Sequence, residues 1–472
     1  MAEKQSPHIG VHLGGHSVFE EGAERVVETL SRTCHATHLH CYAMSGHTYA
    51  LDPKEPAWGP AFRSDKADHG ELNPRPQERV SCVHFQSDPK YYDRPALAPG
   101  EPHLGWGDRD AFDELAEPAA KAGIKLFARL CDWGNAFPFV PDMAAGWAIE
   151  TLGNRRPHFV CCNNPDYRRW MRNLMEDLFR SHPQVAGLNY GFERCPPLIG
   201  VLNGRTDPDC FCEHCCALGE RHGARPERAR EGFRELVGAI AAIKEKRPAD
   251  GAFPTIFRIL RNFPEILTWD RLMVDGWLNM ARDMYYTIKG VDANAEVGWH
   301  LVHHESHNPL FRVIFDTDEM GAYADFFKPV LYHNPTGMRH KHSVMEWLGS
   351  SIFADLPKPV LLEMSYAMCG LLGCDLPSWD EMQNEPVRSF TPEYVKRETE
   401  RFVSKTDKPI YPGIGLDIPG KGGEECSPES VYACTKAAFD GGAHGVIISR
   451  EYDEMQIKNL EAAGRAVKEV TG

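Results

Sequence analysis

The densest chemistry in the chain lies in Cys-Phe-Cys-Glu-His-Cys-Cys at 210–216. Cys210, Cys212 and Cys215 follow a C-x-C-x-x-C spacing, which lets three thiolates converge on one ion. A structural zinc site takes four such ligands, so the fourth must come from elsewhere. Cys161 and Cys162 precede the helix that leads into the apolar run 185–192, and either can reach back. Cys195, Cys216 and His214 are rivals. Four thiolates leave no open position, so such a zinc would pin a loop and take no part in chemistry. The plain alternative is a set of buried free thiols.

Carboxyl and imidazole groups recur at the ends of short apolar runs. In an alternating strand at Val185–Phe192, Leu188, Tyr190 and Phe192 share one face. Gly187, Asn189, Gly191 and then Glu193 share the other. The same alternation groups His38, His40 and Tyr42, and pairs Gly298 with His300. It sets Asp417 with Gly413 and Gly415, His12 with Gly10, and Ser449 with Glu451, Arg450 facing the other way. An inner wall of such groups is costly unless each is satisfied or wet. A ligand bearing many hydroxyls would fit it. Each histidine can equally be a hydrogen-bonded structural residue. Asp417 can be a turn residue before Pro419, and Glu451 can pair with Arg450 or begin the last helix.

The elements that position these residues alternate. Strands are expected at His8–Leu13, Ala36–Ala43, Ile124–Leu130, Val185–Phe192, Glu296–Val302, Lys328–Tyr332, Pro409–Leu416 and Gly445–Ser449. At least one amphipathic helix follows each, such as Asp108–Ala122 with Asp108 as N-cap, and Asn164–Ser181 with Pro165 at its start. Eight strand–helix units imply parallel pairing and an α/β fold, a closed (β/α)8 TIM barrel. No glycine-rich phosphate loop follows the first strand, which disfavours a doubly wound sheet. The expected organisation is one barrel domain over 1–472. A long loop insertion covers 44–107, and a Cys-rich and helical one covers 194–269. Both lie on the C-terminal face, where barrel enzymes build active sites.

Composition narrows the function classes. The 472 residues carry 52 Lys+Arg against 67 Asp+Glu, a formal charge of −15. That balance argues against a nucleic-acid partner. No apolar run nears the ~18 residues of a membrane span. The first residues, MAEKQSPHIG, lack an apolar signal core, so a cytoplasmic protein is expected. The 15 cysteines then read as reduced thiols and not as a disulfide framework.

Cys162-Asn-Asn-Pro-Asp-Tyr-Arg-Arg-Trp170, the strand ending in Glu193 and the cluster Cys210–Cys215 together resemble the central part of glycoside hydrolase family 42 β-galactosidases and the hypothetical glycosyl hydrolase barrels related to them. The resemblance implies zinc held by Cys162, Cys210, Cys212 and Cys215, and Glu193 as the acid/base. Tyr411–Asp417 and Gly445–Met455 resemble the last two barrel units of the hypothetical glycosyl hydrolases. Two positions depart from the β-galactosidases. Phe192 stands where they carry Asn before the acid/base, and Asp417 is the acid nearest to where they carry a Glu nucleophile.

The expected activity is glycoside hydrolysis by a carboxyl pair, with carbohydrate as the substrate and no organic cofactor, nucleic acid or membrane involved; a homo-oligomer is left open. Glu193 would be the acid, kept protonated by an enclosed site, and Asp417 the nucleophile or base. Substrate contacts are assigned to His12, His38, His40, Arg129, Asp132, Asn189, His300, His333, Arg450 and Glu451. Trp106, Trp133 and Trp299 would be stacking platforms. Two alternatives stand beside this one. A metal-dependent lyase, isomerase or hydrolase would use His12, His38, His40 and His300. A sugar-binding barrel would have no chemistry.

Overall fold

A computed structural model describes residues 7–48, 79–100, 108–131, 146–245, 249–418 and 422–472. Twelve strands fall in these segments: β1 (His8–Leu13), β2 (His38–Tyr42), β3 (Met44–Thr48), β4 (Arg79–Val83), β5 (Lys125–Cys131), β6 (Ala148–Glu150), β7 (Arg155–Val160), β8 (Val185–Phe192), β9 (Glu296–Leu301), β10 (Phe326–Lys328), β11 (Gly413–Gly415) and β12 (Gly445–Ser449). Eight of them form one parallel sheet in the order β10-β9-β8-β5-β2-β1-β12-β11. Parallel bridges from Phe327 to Ile410 and from Val330 to Gly413 join its two edges. With helices around it, this is a (β/α)8 TIM barrel.

The apolar faces of the strands turn outward to the helices, as a parallel sheet buried on both sides requires. Phe192 packs on Tyr190, Trp299 and Phe315 at ring-centroid distances of 5.1, 5.4 and 6.1 Å. Trp299 is fully buried in this outer layer, which corrects its reading as a stacking platform. Trp106, Trp133 and Asp132 lie outside the described residues.

Two boundaries differ from expectation for local reasons. The helix Ala111–Lys121 is capped by Asp110, not Asp108: Asp110 Oδ1 accepts from the backbone N–H of Phe112 and Asp113 at 2.9 and 3.1 Å. The sixth barrel strand ends at Lys328 instead of starting there. Pro329 has no N–H to continue the ladder, although its carbonyl still accepts from Gly413 N at 2.7 Å. The helix Pro165–Ser181 starts as expected, with Asn164 accepting from Asp166 N and Tyr167 N.

The insertions carry their own pieces. In the first, β3 and β4 pair antiparallel, Met44 opposite Val83. In the second, helices Pro197–Leu202, Glu213–Arg221, Pro226–Glu245 and Ala252–Asn262 precede the long helix Glu265–Val291. No helix among the described residues is long and apolar enough to cross a membrane.

Candidate active site

The barrel interior is closed at its N-terminal end by rings. His8 stacks on His38 and Tyr411 at 3.6 and 4.1 Å between centroids, beside Phe127, Phe326 and Ile447. His38 Nδ1 also bonds Thr37 Oγ1 at 2.7 Å, and burial lowers its pKa to about 3. His38 is therefore a neutral floor residue, far down the strand from the mouth, which corrects its assignment to substrate.

From this floor a hydrogen-bonded chain climbs to the mouth. His8 Nε2 meets His40 Nε2 at 2.9 Å, and His40 Nδ1 meets Asn189 Nδ2 at 3.4 Å. Arg129 Nη1 donates to Asn189 Oδ1 at 3.1 Å, and Arg129 Nη2 donates to His300 Nδ1 at 2.9 Å. With Nδ1 accepting, the proton of neutral His300 sits on Nε2, which donates to Glu193 Oε1 at 3.1 Å. His40 and Asn189 are thus buried supports for Arg129, not the substrate contacts expected of them. Glycines make room for this chain. A Cβ at Gly191 would lie 2.9 Å from Cys131 Sγ and 3.4 Å from the Arg129 guanidinium, and one at Gly10 would lie 2.7 Å from His40 Nε2.

Sequence reasoning passed over Lys328. Its Nζ lies 3.0 Å from His300 Nδ1 and 3.2 Å from Tyr332 Oη. Burial, then the charge of Arg129, pushes this amine well below its ordinary pKa. Its position at a barrel strand end was misread because the strand was placed after it.

Glu193 crowns the chain. Burial alone would raise its pKa, but the His300 hydrogen bond and the positive charge of Arg129 bring it down to about 2. The expectation of an enclosed, protonated Glu193 is reversed: its surroundings hold a carboxylate. The opposite holds at Glu451, which follows β12 on the far side of the ring from β8. Burial, then repulsion from Glu454, pushes it up to about 7. Glu451 caps the short 3-10 turn Tyr452–Glu454, and among the described residues its Oε2 has no hydrogen-bond partner. The Arg450 guanidinium pairs with Glu454 at 2.6 Å, and its charge partly opposes the rise at Glu451.

Asp417 is engaged elsewhere. Its Oδ2 accepts from Gln456 N at 2.7 Å, and its Oδ1 accepts from Gln456 Nε2 at 2.7 Å and Asn459 Nδ2 at 2.8 Å. These bonds fasten the start of the helix Ile457–Thr471. Its φ of 52° is a left-handed conformation that Asp tolerates better than most residues. This is the turn role, and it leaves the carboxylate committed.

Above Glu193 opens a cavity of about 1470 Å3. His12, Arg129, Glu193, His300, Asp417, Arg450 and Glu451 line it, as do Tyr332, Arg339 and Trp347, which the sequence did not single out. His333 does not: its Nε2 meets Ser430 Oγ at 3.2 Å in the wall behind. Of the histidines expected to bind a metal, His38 bonds Thr37, His40 meets His8 and Asn189, and His300 lies between Arg129 and Glu193; His12 contacts the His40 and His300 rings. Among the described residues only two groups are gathered closely enough to hold an ion. One is Asp110, Asp113 and His182, where Asp110 is the helix cap.

The other is four buried thiols, Cys161, Cys210, Cys212 and Cys215, with sulfurs all within 4.8 Å of one another. Cys161 Sγ lies 3.4 Å from Cys215 Sγ and 3.6 Å from Cys212 Sγ. Tetrahedral thiolates around zinc sit roughly 3.8 Å apart, given a Zn–S bond of about 2.3 Å, so the group fits such an ion. Cys162, named by the resemblance, is not in the group. Its neighbour Cys161 takes the fourth place. Glu150 N donates to Cys210 Sγ at 3.4 Å, and Trp269 Nε1 donates to Cys210 O at 3.0 Å. Arg194, next to Glu193, donates to Val160 O at 2.6 Å, so the thiol cluster and the carboxylate share one support.

No protein-family model and no curated protein matches this chain. Solved structures do. A polyextremophilic β-galactosidase from the Antarctic haloarchaeon Halorubrum lacusprofundi matches with TM-score 0.52 and 15% identity, covering 98% of this chain and 58% of its own. A β-galactosidase from the psychrophilic Marinomonas ef1 matches with TM-score 0.52 and 13% identity, covering 98% and 59%. A GH42 β-galactosidase from G. stearothermophilus matches with TM-score 0.50 and 10% identity, covering 99% and 57%. The chain thus spans less than three fifths of the length of these structures. At these identities the likeness is one of architecture, and the chain is similar in fold to the (β/α)8 barrels of GH42 β-galactosidases.

Proposed function

We propose that the chain is a glycoside hydrolase whose working carboxyls are Glu193 and Glu451. The observation that carries this reading is the Glu193 carboxylate, held by His300, which Arg129 fixes in turn, on a large cavity lined with charged and aromatic side chains. The fold shared with β-galactosidases supports it. Glycoside cleavage needs one carboxylic acid to protonate the leaving oxygen and a second carboxylate to attack the anomeric carbon or activate water. Glu451, raised by burial, suits the first task. Glu193, kept ionised, suits the second. The proton lost by Glu451 goes to the departing hydroxyl, and Glu193 either bonds to the sugar or takes a proton from the incoming water. His12, whose Nε2 has no hydrogen-bond partner among the described residues, lines the same cavity and would meet a hydroxyl.

The four-thiol group is assigned a structural zinc ion, held by Cys161, Cys210, Cys212 and Cys215. It would brace the loop beside Glu193 and take no part in the reaction.

The test is release of nitrophenol from a panel of nitrophenyl glycosides. Turnover by the wild-type chain that falls by about 10²-fold or more in Glu451→Gln supports the reading. Sugar binding without turnover of any glycoside would overturn it in favour of a silent binder.

A further inference from the structure

Arg339 stands on the helix His333–His340, immediately before the π-helical segment Lys341–Trp347, and it lines the Glu193 cavity. Its Nη1 donates to His303 Nδ1 at 2.6 Å. That neutral ring in turn meets Thr336 Oγ1 through Nε2 at 3.0 Å, and the Thr336 hydroxyl donates to the Tyr332 carbonyl. The guanidinium is thus aimed by a buried, ordered chain of neutral groups. Among the described residues no carboxylate pairs with it, whereas Arg450 on the same cavity is paired with Glu454 and Arg129 is spent on Asn189 and His300. A partly buried cation lacking a counter-charge is costly unless a ligand supplies one. Arg205 and Lys244 also line this cavity, as do the carboxylates of Glu424 and Glu425. Trp347, 40% exposed, closes the π-helical segment and lines the cavity too. A half-exposed aromatic side chain and an oriented guanidinium thus line the same cavity, the two kinds of group that a sugar ring and an anionic substituent on it need.

We infer that this subsite takes a saccharide unit bearing an anionic substituent, a carboxylate or a sulfate ester, with Arg339 binding the anion and Trp347 supporting the ring. The inference rests on the carbohydrate reading above and names its substrate class.

The test is calorimetric binding of glucuronate, galacturonate, galactose 6-sulfate and galactose to wild-type, Arg339→Gln and Arg339→Lys chains, alongside turnover of neutral and acidic nitrophenyl glycosides. At least tenfold tighter binding of one or more acidic sugars than of galactose is expected. Uronate preference alone would assign the carboxylate, and preference for the sulfated sugar the sulfate. Arg339→Gln should abolish the preference, bringing acidic sugars to within a few-fold of galactose, and Arg339→Lys should restore part of it. Equal binding of galactose and all acidic sugars, or a preference that survives in Arg339→Gln, would overturn the inference. The two failures separate cleanly. Arg339-dependent binding of acidic sugars without turnover of any glycoside would sink the hydrolase reading alone. Cleavage of neutral glycosides with no gain from an acidic group would sink this inference alone.

Discussion

His300 Nε2 lies 3.1 Å from Glu193 Oε1, while His300 Nδ1 receives Arg129. One imidazole therefore links a permanent buried cation to the carboxylate at the mouth. It fixes the carboxylate's position and lowers its affinity for a proton.

Replacing His300 should release Glu193 from that hold. In His300→Ala the Glu193 pKa should rise from about 2 toward the ordinary carboxylate value, because the His300 hydrogen bond no longer opposes burial and the Arg129 charge is left to do so. The acidic limb of kcat/KM should move to higher pH. A profile with an unchanged acidic limb would show that His300 does not tune Glu193. The same depressed pKa contributes stability that is full above the unfolded value and is lost as pH falls toward about 2.

Glu451 works with the opposite sign. Raised to about 7, it is protonated below neutrality and loses the proton above it. Activity should fall as pH rises through about 7, and Glu451→Gln should remove that limb along with most of the rate. Stability should also decline as pH rises from the unfolded carboxylate value through about 7, since the buried form prefers its proton. A basic limb that persists in Glu451→Gln would assign the proton to another group.

Asp417→Ala separates a structural acid from a reacting one. It leaves Gln456 and Asn459 without their acceptor, at a cost of about 1–3 kcal/mol. The thermal midpoint should drop while kcat stays within a few-fold of wild type. A large loss of kcat at unchanged thermal stability would return Asp417 to the chemistry.

Metal content distinguishes the adjacent cysteines. The purified chain should carry about one zinc ion. Cys161→Ser should lose it, and Cys162→Ser should keep it, measured by plasma mass spectrometry. Because Arg194 ties the Glu193 loop to the strand before Cys161, zinc loss should lower thermal stability and activity together. The reverse pattern in the two serine variants would restore Cys162 as the ligand.

These particulars show what a linear reading reaches. β8 and β12 were legible to the residue, because each is an apolar run with marked ends. Glu193 followed from simple alternation along β8. Cys161 and Cys162 could not be told apart, since neighbouring side chains point different ways and spacing alone does not orient them. Asp417 was visible as an acid at a strand end, but its partners lie 39 and 42 positions away. Only the folded chain shows its carboxylate already used. Lys328 was hidden by Pro329, whose effect on the ladder moved the strand boundary. Arg339 carried no sequence signal, because its significance is that no carboxylate among the described residues pairs with it directly, which spacing along the chain does not show.

The most direct test of the account is kcat/KM for Glu193→Gln on the glycoside that the wild-type chain cleaves fastest. The account predicts a loss of about 10²-fold or more in a chain that still folds, with a lower thermal midpoint because the ionised carboxylate no longer contributes its stability. Activity within a few-fold of wild type would contradict it, because the cavity would then be working without the carboxylate that its whole inner chain holds in place.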